Sequence, residues 1–124
     1  MITLLSYLTV ADNSGAREVQ CIKFVGKQKR REGFLGDLLV LSVKRLRSRM
    51  KTRVKKGEVV LGLIVRLKQN SLRKNGTFIK FNDNAVILLN KKFEPLGTRI
   101  IGPISRECRT EKFLKISSLA KDII

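Results

Sequence analysis

The chain has 124 residues, 43% apolar and 30% charged, enough hydrophobic material for one compact domain and no signature of disorder. Its 27 Lys and Arg against 10 Asp and Glu leave a net charge of +17, which points to a polyanionic partner, nucleic acid ahead of an acidic membrane surface. His is absent and the two cysteines, Cys21 and Cys108, form no CxxC pair; imidazole acid–base catalysis and a zinc site of thiolates and imidazoles are excluded, and no metal or cofactor is expected. The cysteines read as buried free thiols of a protein of the cell interior. The longest apolar run, residues 59–65, is far below the roughly 20 residues of a membrane span, so no membrane insertion is expected.

Residues 1–10 read as a folded first strand, because no basic leader segment or cleavage site accompanies them. Asp12, Asn13, Ser14 and Gly15 form a dense turn signal before a second strand over 19–25, whose alternation slips at Cys21-Ile22 and predicts a bulge. Gly33 and Gly36 precede a third strand over 37–46, with Leu39, Leu41 and Val43 on one face. A fourth, over 58–68, is apolar on both faces through its middle, the pattern of a strand enclosed in a barrel. Asn75-Gly76 marks a hairpin tip into a strand over 77–81, and Asn82, Asp83 and Asn84 turn into a last strand over 85–90. Five or six short strands at this spacing suggest a small closed β-barrel.

After Gly102-Pro103 the period changes. Ser105 and Thr110 stand at helix N-cap positions, and Phe113, Ile116 and Ala120 recur at spacings of three and four, predicting two short helices. The chain is thus read as a single domain, with a barrel and basic ribbon over 1–102 and a helical tail over 103–124.

The most informative segment is 44–56, which holds Lys44, Arg45, Arg47, Arg49, Lys51, Arg53, Lys55 and Lys56 and no acid. Arg45, Arg47, Arg49, Lys51, Arg53 and Lys55 occupy successive odd positions, so an extended ribbon would place all six on one face. Leu46, Met50 and Val54 at i,i+4 keep a helical alternative open. Six like charges on one face repel one another unless a phosphate backbone relieves them. Lys27, Lys29, Arg30 and Arg31, then Lys68, Arg73 and Lys74 around the hairpin tip, then Lys91-Lys92, form further basic clusters. Arg17, Lys23 and Arg66 are assigned to the same RNA-binding set. Phe78 and Phe81 are assigned to core packing, which argues against a reader of stacked single-stranded bases and leaves recognition of backbone and shape.

No catalytic constellation is present. Gly26-Lys27 is followed by Gln28, so the P-loop order is missing, and Gly33 and Gly36 lack dinucleotide spacing. Glu107 and Glu111, surrounded by Arg106, Arg109 and Lys112, read as surface ion-pairing partners. Neither an enzymatic role nor a small-molecule substrate is expected.

Four blocks carry a resemblance: Leu8-Thr9-Val10-Ala11-Asp12-Asn13-Ser14-Gly15-Ala16-Arg17, Val54-Lys55-Lys56-Gly57-Glu58-Val59, Asn84-Ala85-Val86-Ile87-Leu88-Leu89-Asn90 and Gly97-Thr98-Arg99-Ile100-Ile101-Gly102-Pro103. In this order and spacing, nearly end to end, the chain resembles the ribosomal large-subunit protein L-fourteen family of bacterial and organellar type. The Gly62-Leu63-Ile64-Val65 stretch, followed by Asn75-Gly76 and Phe81, resembles that family's signature. The resemblance implies a five-stranded barrel with a projecting β-ribbon and two short C-terminal helices. It implies binding to large-subunit rRNA on the face that meets the small subunit, a place beside protein L-nineteen, contacts with small-subunit rRNA in intersubunit bridges, and capture of a ribosome-silencing factor on the C-terminal face. Thr98, Arg99, Arg109, Lys112 and Lys115 are assigned to that partner face, the plain alternative being surface pairs of Arg99 and Lys112 with Glu94 or Glu107. The chain departs from the family pattern at Glu18, where a basic residue is usual, at Asp83, where Gly is common, and in a more basic 45–53 segment.

Residues with AT-rich codons (Phe, Tyr, Met, Ile, Asn and Lys, 41 in all) outnumber those with GC-rich codons (Gly, Ala, Arg and Pro, 27). Together with the lack of a transit-like extension, this suggests an organelle-encoded protein, mitochondrial first, with an AT-rich bacterium or a plastid as the alternatives. The competing function is a free-standing barrel-type RNA-binding factor or RNA chaperone.

Overall fold

A computed structural model describes residues 2–26, 31–48 and 52–124. Its elements in chain order are β1 (Ile2–Thr3), β2 (Tyr7–Val10), β3 (Ala16–Phe24), β4 (Glu32–Gly33), β5 (Leu38–Leu46), β6 (Val59–Arg66), β7 (Ser71–Leu72), β8 (Phe78–Ile79), β9 (Ala85–Leu89) and α1 (Leu114–Leu119). Five of them close a barrel in the order β2-β3-β5-β6-β9. The closing seam is parallel, Thr9 against Ala85 and Val10 against Val86, while the other four seams are antiparallel.

The expected first strand is broken in two. Leu5 takes a left-handed φ of 66°, and the Thr3 N–H donates to Ser6 Oγ at 3.1 Å, so the chain turns between β1 and β2. β1 then leaves the barrel to pair with β4. In β3 the predicted bulge falls where expected, the register slipping between Cys21 and Lys23. The strand begins three residues earlier than its apolar run, at Ala16, because β5 supplies partners for Ala16 and Glu18.

Alternation sorts the side chains. Leu8, Val10, Val19, Cys21, Leu39, Leu41, Val43, Ile64, Val86 and Leu88 belong to one buried cluster that fills the barrel. Leu63, Val65, Ala85, Ile87 and Leu89 point the other way and meet Ile104, Cys108, Phe113 and Ile116 of the C-terminal tail. β6 is therefore apolar on both faces because the tail covers its outer side; barrel closure alone would leave that side wet. Cys21 and Cys108 are buried free thiols, as read. Burial pushes the Cys108 thiol up from an ordinary 9.0 to about 11, and its Sγ donates to the Ile64 carbonyl at 3.2 Å.

The tail contains two 3-10 turns, Arg106–Cys108 and Glu111–Phe113, the second running into α1. Ser105 and Thr110 hold the flanking positions, yet neither side chain caps its turn. The Ser105 hydroxyl instead lies 3.4 Å from the buried Cys108 Sγ. Among the described residues no helix is long and apolar enough to cross a membrane.

Candidate nucleic-acid interface

The turn Asp12-Asn13-Ser14-Gly15 ties three distant segments together. Asp12 is buried; its Oδ1 accepts the Ser14 N–H at 3.0 Å and the Ser14 hydroxyl at 2.5 Å, and its Oδ2 accepts the Leu88 N–H at 3.0 Å. Burial raises its carboxyl pKa, with the Ser14 and Leu88 hydrogen bonds and the Arg47 charge opposing. Asn13 Oδ1 accepts the N–H groups of Thr98 and Arg99 at 2.7 and 3.0 Å, and its Nδ2 donates to Thr98 Oγ1 at 2.8 Å. The carbonyls of Ser14 and Gly15 accept the N–H groups of Arg53 and Arg47 at 2.9 and 2.8 Å. Gly15 sits at φ +101°, and a Cβ there would lie 2.8 Å from Thr52 Cα. Only glycine lets the basic segment approach so closely.

That clamp decides the shape of the 44–56 segment. The β5–β6 ladder begins at Ser42 opposite Val59, and the alternation of β5 ends at Leu46. Beyond it the chain folds back onto the turn, because Arg47 and Arg53 give their N–H groups to Gly15 and Ser14 and not to each other. Among the described residues the segment is neither a two-stranded ribbon nor a helix, and its odd positions do not share a face. Arg45 is exposed and 3.5 Å from Glu18. Arg47 turns inward, donating to the Val10 carbonyl at 3.4 Å, and its buried Nε has no partner among the described residues. Arg53 donates to the Leu96 carbonyl. Lys44 is half-buried, and Lys55 and Lys56 are exposed. Arg49 and Lys51 lie outside the described residues. Arg17 and Arg47, with Thr9, Val10 and Ser48, line an open cleft beside the turn.

The other basic positions divide into exposed and internally matched groups. Lys23, Arg31, Lys68, Lys74, Lys91 and Lys92 are exposed; Lys27, Lys29 and Arg30 lie outside the described residues. Arg66, 13% exposed, is 3.3 Å from Asp83, close enough to pair though its Nε is not aligned as a hydrogen bond. Arg73 donates to Glu107 at 3.0 Å and to the Ile124 carbonyl. Glu18 and Asp83 thus each face an arginine.

The partner set splits. Thr98 and Arg99 are held by Asn13 with exposed side chains. Lys112 lies 5.4 Å over the Phe93 ring. Lys115 reaches Glu94 at 2.6 Å, and that hydrogen bond and charge hold the Glu94 carboxyl below its usual range. Glu94 and Glu107 are therefore taken by Lys115 and Arg73, leaving Arg99 and Lys112 without ion pairs among the described residues. Arg109 lines a cleft with Arg73, Lys74, Asn75, Arg106 and Glu107. Sequence reasoning missed Arg106, Lys80 and the Asn13 clamp. It also misplaced Phe78: Phe81 is buried as expected, but Phe78 is 66% exposed. It follows Thr77 just after the Gly76 turn, and the alternation from buried Phe81 could have placed it outward only if the short hairpin's pleat were known.

The described residues form a small closed barrel with cations on its turns and strand ends, and hold no group of metal-ligating residues. The chain belongs to the ribosomal protein L14p/L23e family, whose model matches residues 1–124. That family is of a structural, non-enzymatic kind, and the chain is accordingly a structural protein of the large ribosomal subunit.

Proposed function

We propose that the chain is anchored in the large subunit by rRNA phosphates gripped around the Asp12–Gly15 turn, with further basic contacts at the separate β7–β8 hairpin tip. The observation that carries this is the open cleft lined by Arg17 and Arg47, in which the buried Arg47 Nε has no partner among the described residues. A phosphate oxygen is the acceptor such a group suits. Arg45, Arg53, Lys23, Arg31, Lys68 and Lys74 extend the same electrostatic footprint.

The loop carrying Thr98 and Arg99, together with Lys112 and Lys115, forms the outward partner face. By resemblance to its family this face meets protein L-nineteen, small-subunit rRNA in an intersubunit bridge, and a ribosome-silencing factor. The AT-rich composition favours a mitochondrial ribosome.

Sedimentation tests the anchoring. The protein should stay with purified large subunits through a high-salt wash, and its affinity for a large-subunit rRNA transcript should fall at least roughly a hundredfold between about 50 and 200 mM salt for four to six contacts. Release into the supernatant would favour a free-standing RNA-binding factor. Recovery from mitochondrial and not cytosolic large subunits would test the compartment.

A further inference from the structure

The β7–β8 hairpin carries a surface that the phosphate contacts do not explain. Leu72 and Phe78 are cross-strand partners, so their side chains stand side by side on one face. They are 68% and 66% exposed. The opposite face is used inward: Ser71 and Ile79 are half-buried, and Arg73 is bound to Glu107 and the Ile124 carbonyl. The pleat therefore turns Leu72 and Phe78 outward, with Lys80 two residues beyond Phe78 on the same side and Lys74 at the tip.

Charge says what covers this face. Residues 68–81 contain Lys68, Arg73, Lys74 and Lys80 and no acid, and Lys74 and Lys80 form no ion pair with any described residue. An apolar protein partner would have to bury those ammonium groups without counter-charge. A nucleotide supplies both halves of the match, a flat apolar base for the ring and a phosphate for the lysines. Leu72 also lines a cleft of about 290 Å³ with Phe34, Asn70 and Glu107, whose carboxylate is already paired with Arg73; the Asn70 amide stands there where a base edge could be read.

We propose that Phe78 is a stacking platform for an unpaired nucleobase of the RNA, with Leu72 flanking it and Lys74 and Lys80 holding the adjoining phosphates. The inference rests on the RNA-binding reading above and adds a base contact to it.

The chain has no Trp, so Phe78→Trp introduces a single reporter. Its fluorescence should be quenched when a large-subunit rRNA transcript is added to the full-length protein. Phe78→Ala should bind the transcript roughly 5- to 100-fold more weakly, Phe78→Tyr should restore binding, and Phe78→Leu should not. Thermal melting of each variant should match the parent, since the ring is largely in solvent. Salt-sensitive transcript binding with an unquenched indole, or with Phe78→Leu as good as the parent, would overturn stacking while leaving the phosphate anchoring intact. A change in the indole produced only by large-subunit proteins would overturn it in favour of protein docking. No transcript binding by the parent would remove both readings.

Discussion

Glu18 and Arg45 stand opposite each other on β3 and β5, carboxylate to guanidinium at 3.5 Å. One of the few acids on this chain thus sits against a cation of its most basic segment. The Arg45 side chain is 70% exposed, so the pair contributes little to stability, under about 1 kcal/mol. Its effect is on charge available to a partner. Glu18→Ala should leave the melting temperature nearly unchanged and tighten binding to an rRNA transcript, steepening the log-log salt dependence by up to about one unit. A weaker or flatter dependence would mean that Arg45 does not reach phosphate.

Gly15 and Gly76 both have positive φ, +101° and +84°, but differ in what surrounds them. Nothing lies within 4 Å of a Cβ at Gly76, whereas one at Gly15 would meet the Thr52 backbone. Gly76→Val should cost roughly 1–3 kcal/mol from backbone strain alone; Gly15→Val should cost more and loosen the basic segment as well. Equal melting temperatures for the two variants would contradict the close approach of Thr52.

Asn13→Ala removes the acceptor for two N–H groups and the donor to Thr98. Amide exchange should quicken at Thr98 and Arg99 before the barrel amides respond, with a stability loss of roughly 1–3 kcal/mol. Uniform acceleration across the barrel would instead mark Asn13 as part of the global folding unit.

The Cys108 thiol is raised to about 11, so the folded chain holds its proton where the unfolded chain, with an ordinary 9.0, has released it. Stability from this group is fully present below pH 9 and is lost as pH rises towards 11, by at most about 1.4 kcal/mol per pH unit. The stability difference between the parent and Cys108→Ala should accordingly shrink across that window. A constant difference would show that the thiol is not shielded by the tail.

Arg99→Glu with Lys112→Glu should enter large subunits at parental levels, since neither side chain pairs with an acid in the described structure. Subunit joining or silencing-factor capture should weaken. Normal joining and capture, or failure to assemble, would each refute the separation of anchoring from the partner face.

Much of the barrel was legible because its signals are local. The Asp12–Gly15 and Asn75-Gly76 turns, the bulge after Cys21, and the Leu39, Leu41, Val43 face each depend on a handful of adjacent residues. What escaped depends on distant partners. Arg47 and Arg45 have the same odd parity, but Gly15 ends the alternation between them by claiming the Arg47 amide. The second apolar face of β6 comes from a tail some 40 residues downstream, and Leu5 turns in the midst of an apolar run because its N–H finds the Cys21 carbonyl at 2.9 Å. For the candidate interface, the basic residue types were visible, but their orientation was not: Arg66 and Arg73 are matched internally, and Phe78 faces out.

The parallel seam between β2 and β9 sets an order in time. The Thr9 hydroxyl and amide both bond to the carbonyl of Asn84, 75 residues later. At a synthesis rate of about 5–20 residues per second, those residues take about 4–15 s to appear. During that interval β2 is an open edge, and such long-range pairing is slow to form even once its partner exists. By the time Asn84 is made, 19 of the 27 Lys and Arg have already been added. The growing chain thus acquires most of its attraction for a polyanion before its barrel can close, so an RNA can engage it while the last strand is still missing.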